Sequence, residues 1–267
     1  MITSFQKFIG KCICPAQKIS PIKQTPYDSQ DTLHHDTKIT GQALKIFFPG
    51  NAYRIDDPKD LGHLNVTHVV NWPHNRDCKS ANELLEHVIH DVNNLISNNS
   101  SIESIELVGH SLGGHAALKC ALNIQDNPKI NIKVTTINTF TSIVDAILEG
   151  FLSPLDYIVV TILTTLIAFC TLPLFATVKV LISCLFIRLV YPKILRVPIA
   201  SIVNLAGWNM DNSNLIEQLV NKNIPIQFKQ ANSDLLIPKN AQLAQSRLKD
   251  SNCIDIKHYI GDHNSIR

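Results

Sequence analysis

The chain has 267 residues, with 24 Lys and Arg against 22 Asp and Glu, a net charge of +2 and a sequence pI near 8.1. That length suits one α/β domain with an insertion, or two small domains, and is ample for a hydrophobic core. The near-balance of charge gives no electrostatic case for binding nucleic acid. Charged residues make up only 17% and mean hydropathy is slightly positive at +0.08, which traces mostly to one apolar region. The seven cysteines, Cys12, Cys14, Cys78, Cys120, Cys170, Cys184 and Cys253, are irregularly spaced and form no CxxC pair. They read as free thiols in a reducing compartment, and no zinc-ligand spacing or cofactor motif accompanies them.

Residues 1–40 are polar and broken by Pro15, Pro21 and Pro26, and read as an N-terminal arm. Lys7 and Lys11 interrupt the apolar stretch from Met1 to Pro15, so it does not read as a signal peptide. The rest, 41–267, reads as one domain. Ala43 to Phe48 is a short apolar run ending at Pro49-Gly50-Asn51, a strand entering a turn. Val66 to Trp72 reads as a second strand. From Ala81 to Asn98, the residues Leu84, Leu85, Val88, Ile89, Val92, Leu95 and Ile96 recur at helical spacing. Ile102 to Val108 reads as a strand, Gly113 to Ile124 as a helix and Ile132 to Ile137 as a strand. Beyond an apolar insertion, Ser201 to Ala206 is apolar, and 214–221 reads as a helix. Ile224 to Phe228 reads as a strand, Lys239 to Leu248 as a helix and Ile254 to Tyr259 as the last strand. Strands alternating with helices predict a mostly parallel central sheet with helices on both faces.

One motif carries chemistry. Gly109-His110-Ser111-Leu112-Gly113 follows an apolar strand, opens a helix and is extended by Gly114. A serine on a sharp strand-to-helix turn projects its hydroxyl above the sheet edge, and the glycines leave room where chain segments cross. The helix N-terminus beneath it favours the negative charge that develops in acyl transfer. This stretch resembles the nucleophile elbow of the α/β-hydrolase superfamily, most closely its lipase and esterase branch, over roughly residues 43–263. Only the elbow is a sharp motif; the remainder matches in order and spacing.

The resemblance implies that an acid and then a histidine follow the serine in the chain. His263, just after the last strand in Gly261-Asp262-His263-Asn264, is the base it selects. Asp234, in the loop after the strand near 224–228 and followed by an apolar run and Pro238, is the acid it selects. Asp145 is the alternative that some lipases use. Asp262 is too close in the chain to turn back onto His263. His258 falls inside the strand pattern, and His110 and His115 are tied to the elbow. The backbone N–H of Leu112 is one expected oxyanion-hole donor. The second is expected from Asn51, although Pro49-Gly50 stands where family members often have His-Gly.

Tyr157 to Val178 holds no charge, and Lys179 and Arg188 are the first breaks in apolar sequence that continues to Val190. On length alone, 157–178 is long enough to span a bilayer. A single crossing would put Ser111 on one side and Asp234 and His263 on the other. The 35 residues of 157–191 make about 50 Å of continuous helix, short of two spans and a turn. The expectation is an apolar cap over 139–200, with a shallow hairpin or lid at 154–194 that touches a membrane or covers an acyl pocket.

Two functions follow. One is a serine hydrolase that cleaves an ester or thioester of a lipid or acyl substrate. It would need no cofactor and would be membrane-associated from the cytoplasmic side. The other is a catalytically idle protein that keeps the fold for membrane binding or scaffolding. The Asn/Ile/Lys-rich composition is also similar to that of hydrolases from intracellular bacteria, some delivered into host cells, and no motif speaks for that role here.

Overall fold

Six apolar runs and one two-residue pair become strands of a single sheet in the computed structural model, which describes residues 33–34, 43–50, 61, 64–70, 78–99, 101–124, 130–152, 196–234, 236–237, 239–243 and 251–264. The strands are β1 (Leu33–His34), β2 (Ala43–Phe48), β3 (His68–Val70), β4 (Ser104–His110), β5 (Asn131–Ile137), β6 (Ile226–Ala231) and β7 (Ile254–Tyr259). Their order across the sheet is β1-β3-β2-β4-β5-β6-β7. Every neighbouring pair is parallel except β1 with β3. The chain steps outward from β2 to β3, then returns past β2 to β4. That reversal between β2 and β4 is a topological switch point, and open parallel sheets bind ligands at the carboxyl ends of such strands.

Alternation along the strands gives the sheet two different faces. Leu44 and Ile46, Ile105 and Leu107, Ile132 and Val134, Ile226 and Phe228 share one face. They pack with helices α1 (Ala81–Ser97), α2 (Leu112–Ile124) and α5 (Asn212–Asn221) in the main core. On the other face Phe47, Val108 and Ile137 pack with Leu61, Leu64 and Val69. Helix α1 shows how the sequence builds this arrangement. The Ser80 hydroxyl accepts from Glu83 N at its start, and Leu84, Leu85, Val88, Val92 and Leu95 form its buried stripe. Each of these side chains contributes about 2 kcal/mol by leaving water.

Several boundaries differ from the sequence reading, for local reasons. β1 lies inside the stretch expected to be an irregular arm, and pairs antiparallel with Val69 and Val70 at the sheet edge. β3 starts at His68; before it, Thr67 N–H donates to Lys45 O while the Thr67 hydroxyl accepts from Lys45 N–H in place of a backbone carbonyl. β4 extends through Gly109 and His110, which stay in register with Phe48, Thr136 and Ile137; the bend comes at Ser111. β6 begins two residues late because Ile224 N–H caps the end of α5 at Leu219 O. Residues 239–241 form only a 3-10 turn, and 244–250 lie outside the described residues.

The apolar stretch around Ser201 is helical: residues 196–205 form helix α4. At the near root of the insertion, α3 (Ile143–Ala146) runs into a π-helical turn at Ile147–Leu152. Both roots feed a second apolar cluster, in which Val144, Leu148, Val203, Trp208 and Ile237 pack with Leu112. The expected hairpin at 154–194 lies outside the described residues. Among those that are described, no helix is long and apolar enough to cross a membrane.

Candidate active site

Ser111 sits where β4 gives way to α2, with φ of 52°, in the left-handed region that few non-glycine residues adopt. Holding it there costs about 1–2 kcal/mol, which the surrounding structure must offset. Two bonds hold the bend: Ser111 N–H donates to Ile137 O at 2.8 Å, and Gly114 N–H donates to Ser111 O at 3.0 Å. The flanking glycines are needed for close approach. A Cβ on Gly113 would overlap the carbonyl of Phe48, and one on Gly109 would overlap the carbonyl of Gly113. Gly50, at the end of β2, faces the same bend. A Cβ there would lie 3.0 Å from the Ser111 Cβ and 2.6 Å from His110 Nδ1. Leu112 is the first residue of α2, so its N–H has no intrahelical partner to donate to. Asn51 lies outside the described residues.

Asp234 and His263, 29 residues apart in sequence, meet at the carboxyl ends of β6 and β7. His263 Nδ1 is 2.9 Å from Asp234 Oδ2, and both residues are buried. The other carboxylate oxygen is fully occupied: Asp234 Oδ1 accepts from Leu236 N at 3.0 Å and Ile237 N at 2.9 Å. Two further bonds tie the loops together, Asn232 N–H to Tyr259 O and Ser233 N–H to Gly261 O. A carboxylate can only accept, so Nδ1 carries the proton and Nε2 of a neutral His263 is left with a lone pair.

Asp145 is elsewhere employed. It accepts from the Ser142 hydroxyl at 2.6 Å, its own N–H donates to that hydroxyl, and Arg196 Nη1 pairs with it at 2.7 Å. Its N–H completes the Ser142 cap of α3, and its carboxylate fastens one root of the insertion to the other.

Three residues to which sequence reasoning gave no role surround the pair. His110 Nε2 lies 2.7 Å from the main-chain oxygen of His263, and the two rings are 5.0 Å apart. Asn138, completely buried just past β5, donates to the same oxygen at 2.7 Å. Gln230 Nε2 lies 3.3 Å from Asp234 Oδ2. For Asn138 the one available signal was a polar residue directly after an apolar strand, which by itself reads as a turn. Among the described residues no cluster of three or more His, Cys, Asp or Glu could hold a metal ion.

Burial lowers the pKa of both elbow histidines. His110 is held at about 4 by desolvation, reinforced by the nearby His263. His115 is likewise held at about 4 by desolvation, against its bond to Asn212 Oδ1 at 2.7 Å. Each is neutral when folded, whereas a histidine in the unfolded chain titrates near 6.5. Between pH 6.5 and 4 the unfolded chain therefore binds protons that the folded one refuses. Stability is full above pH 6.5 and is lost as pH falls towards 4, by about 3 kcal/mol for each histidine. Urea unfolding at pH 7.5 and 4.5 checks this. The loss on acidification is expected to shrink by a comparable amount in His115→Gln, and an unchanged loss would contradict it.

The family described as Lipase (class 3) matches residues 16–144. No curated protein matches the chain. Among solved structures, Est1E from Butyrivibrio proteoclasticus is 13% identical with a TM-score of 0.48, covering 85% of this chain and 82% of its own. A carboxylesterase structure from the thaumarchaeon Nitrososphaera gargenis is 16% identical with a TM-score of 0.43, covering 86% and 85%. The Vlm2 thioesterase domain is 14% identical with a TM-score of 0.43, covering 89% and 91%. The parallel sheet reversing at β2 and β4, with the strained Ser111 turn at that reversal, is an α/β-hydrolase fold, and residues 16–144 of the chain are similar to the Lipase (class 3) family.

Proposed function

We propose that the protein is a serine hydrolase that cleaves a carboxylic ester or thioester of a lipid or acyl substrate. The observation that carries the reading is the buried His263–Asp234 pair at the end of the sheet where Ser111 occupies its left-handed bend. Ser111 Oγ attacks the carbonyl carbon while His263 Nε2 takes the hydroxyl proton. The tetrahedral oxyanion forms against the N–H groups of Leu112 and Asn51. Its collapse expels the alcohol or thiol, which receives that proton, and leaves an acyl group on Ser111. Water then repeats the sequence and releases the carboxylic acid. Asp234 keeps the proton on Nδ1 and stabilises the imidazolium.

The substrate class is inferred from the apolar character of the insertion and its roots. Val144, Leu148 and Val203 pack in one cluster with Leu112, the neighbour of the nucleophile, so an acyl chain entering from that side would meet apolar surface. Contact with a membrane surface through 154–194 would bring such a substrate to the site and hold the protein at a membrane.

A fluorophosphonate probe tests the proposal. The wild-type protein is expected to be labelled once, at Ser111, and Ser111→Ala not at all. Turnover is expected to rise with acyl length across a panel of esters. A well-folded wild-type protein that takes up no probe would leave the fold without this chemistry and would favour a binding or scaffolding role.

A further inference from the structure

We propose that His110 and Asn138 are positioning residues that aim the His263 imidazole by gripping its main-chain carbonyl, an inference that rests on the catalytic reading of Ser111, Asp234 and His263. A histidine in a loop that follows an edge strand has sheet on one side only, and such loops are where backbone is least restrained. Its bond to Asp234 fixes one point of the ring and leaves rotation about that point. A second fixed point is needed to direct Nε2.

The carbonyl of His263 supplies that second point. It accepts from Asn138 Nδ2 at 2.7 Å and from His110 Nε2 at 2.7 Å, so both of its lone pairs are used. A carbonyl cannot donate, so His110 must carry its proton on Nε2. Its burial-lowered pKa of about 4 keeps it a neutral, single-tautomer donor at physiological pH.

Asn138 is itself rigidly held. Its backbone is left-handed at φ 49°, its N–H donates to Lys229 O at 2.9 Å, and its Oδ1 accepts from Ala231 N at 2.8 Å. Its amide also reaches Tyr259 Oη at 2.7 Å and Asp262 O at 3.3 Å. The ends of β4 and β5 thus converge on one oxygen, and β6 holds Asn138 in place. Gln230, 3.4 Å from Asn138 Oδ1 and 3.3 Å from Asp234 Oδ2, links this grip to the acid. Ser111 is the residue directly after His110, so nucleophile and base are referenced to the same strand end. Neither His110 nor Asn138 needs to touch substrate for this. Displacing a reacting group by about 1 Å costs on the order of 10²-fold in rate.

The test compares His110→Phe, which fills the space without a donor, with His110→Gln, whose Nε2 lies the same number of bonds from the backbone as that of histidine. Asn138→Asp, which turns a donor into an acceptor facing the carbonyl, is the third variant. Ester turnover, urea unfolding and the downfield proton resonance of His263 Nδ1, assigned by its loss in His263→Gln, are measured for each. Phe at position 110 is expected to lower kcat about 10²-fold with KM within about threefold, and to broaden the resonance. Gln is expected to recover at least tenfold of that loss. Asn138→Asp is expected to match Phe wherever it folds, and the position 110 pair decides the question if it does not. Equal kcat for Phe and Gln, or a sharp unshifted resonance in the Phe variant, would overturn the proposal while the catalytic reading stood. A wild-type protein without Ser111-dependent labelling would remove both.

Discussion

Asp234→Asn is expected to lower kcat by about 10³- to 10⁴-fold while leaving the fold intact, because the protein dictates which way the new amide must face. Two backbone N–H groups, from Leu236 and Ile237, point at Oδ1. Only the amide oxygen can satisfy them, so the amide NH₂ must occupy the place of Oδ2. There it presents a donor to His263 Nδ1, now 2.9 Å from a carboxylate oxygen, and also meets the donor Nε2 of Gln230. The imidazole answers by moving its proton to Nε2, which removes the lone pair that should take the proton from Ser111. In serine proteases, a wrong tautomer held in correct geometry costs about 10⁴ in kcat. Flipping the amide would restore the tautomer but leave two buried N–H groups facing a donor, at about 1–3 kcal/mol each. KM is expected to stay within about threefold, since no substrate contact changes. The same exchange at Asp145 separates the two candidate acids. It removes the charge from the Ser142 hydroxyl bond and the Arg196 pair, at about 1 kcal/mol of stability, and should leave kcat within about threefold. If Asp145→Asn proved the more damaging to kcat, the assignment of the acid would be reversed.

Much of this site could be read from the chain because its parts obey local rules. GHSLG needs a strand before it and a helix after it, and both are visible in the apolar periodicity on either side. Asp234 and His263 could be chosen because each follows a recognisable strand in the order Ser, acid, His, and the structure brings them to hydrogen-bonding distance. The residues that escaped are those whose roles exist only in three dimensions. Asn138 and His110 lie 125 and 153 positions from the carbonyl they hold. Nothing in either neighbourhood distinguishes a donor aimed at a distant loop from an ordinary turn residue. The errors at element ends have the same origin. At Thr67 the hydroxyl, not the backbone carbonyl, accepts from Lys45 N–H, and β6 starts late because Ile224 is spent on capping α5. The stretch around Ser201 is apolar on its exposed side as well as its buried one, with Val203 and Ala206 buried while Ile202 and Leu205 are 44% and 73% exposed, so a short window could not separate helix from strand.

Gly113→Ala is expected to cost at least about 4 kcal/mol, enough to abolish cooperative folding in a domain whose whole stability is about 5–15 kcal/mol. The reason is how little either neighbour can retreat. A Cβ at position 113 would overlap the carbonyl oxygen of Phe48 and crowd that of Pro49. Phe48 belongs to β2, which is paired on one side with β3 and on the other with β4, where it stands opposite Gly109. Gly113 is the second residue of α2, whose Ala116, Ala117, Leu118, Cys120 and Ala121 are all fully buried against the sheet. Moving α2 outward by the needed ångström would open a gap along that whole row, and cavities in a close-packed core are themselves costly. The clash is with backbone, so no change of rotamer relieves it. Gly50 provides the contrast. A Cβ there meets the His110 ring and the Ser111 Cβ, both side-chain atoms, so Gly50→Ala should cost only about 1–2 kcal/mol and act mainly by crowding the nucleophile. Urea unfolding and ester turnover on both variants check the pair. Gly113→Ala should lose its unfolding transition, whereas Gly50→Ala should keep it and lose turnover. A Gly113→Ala protein that unfolds cooperatively within about 1 kcal/mol of wild type would mean that the helix and β2 are not pressed together in solution, and that the left-handed bend at Ser111 is not held by them.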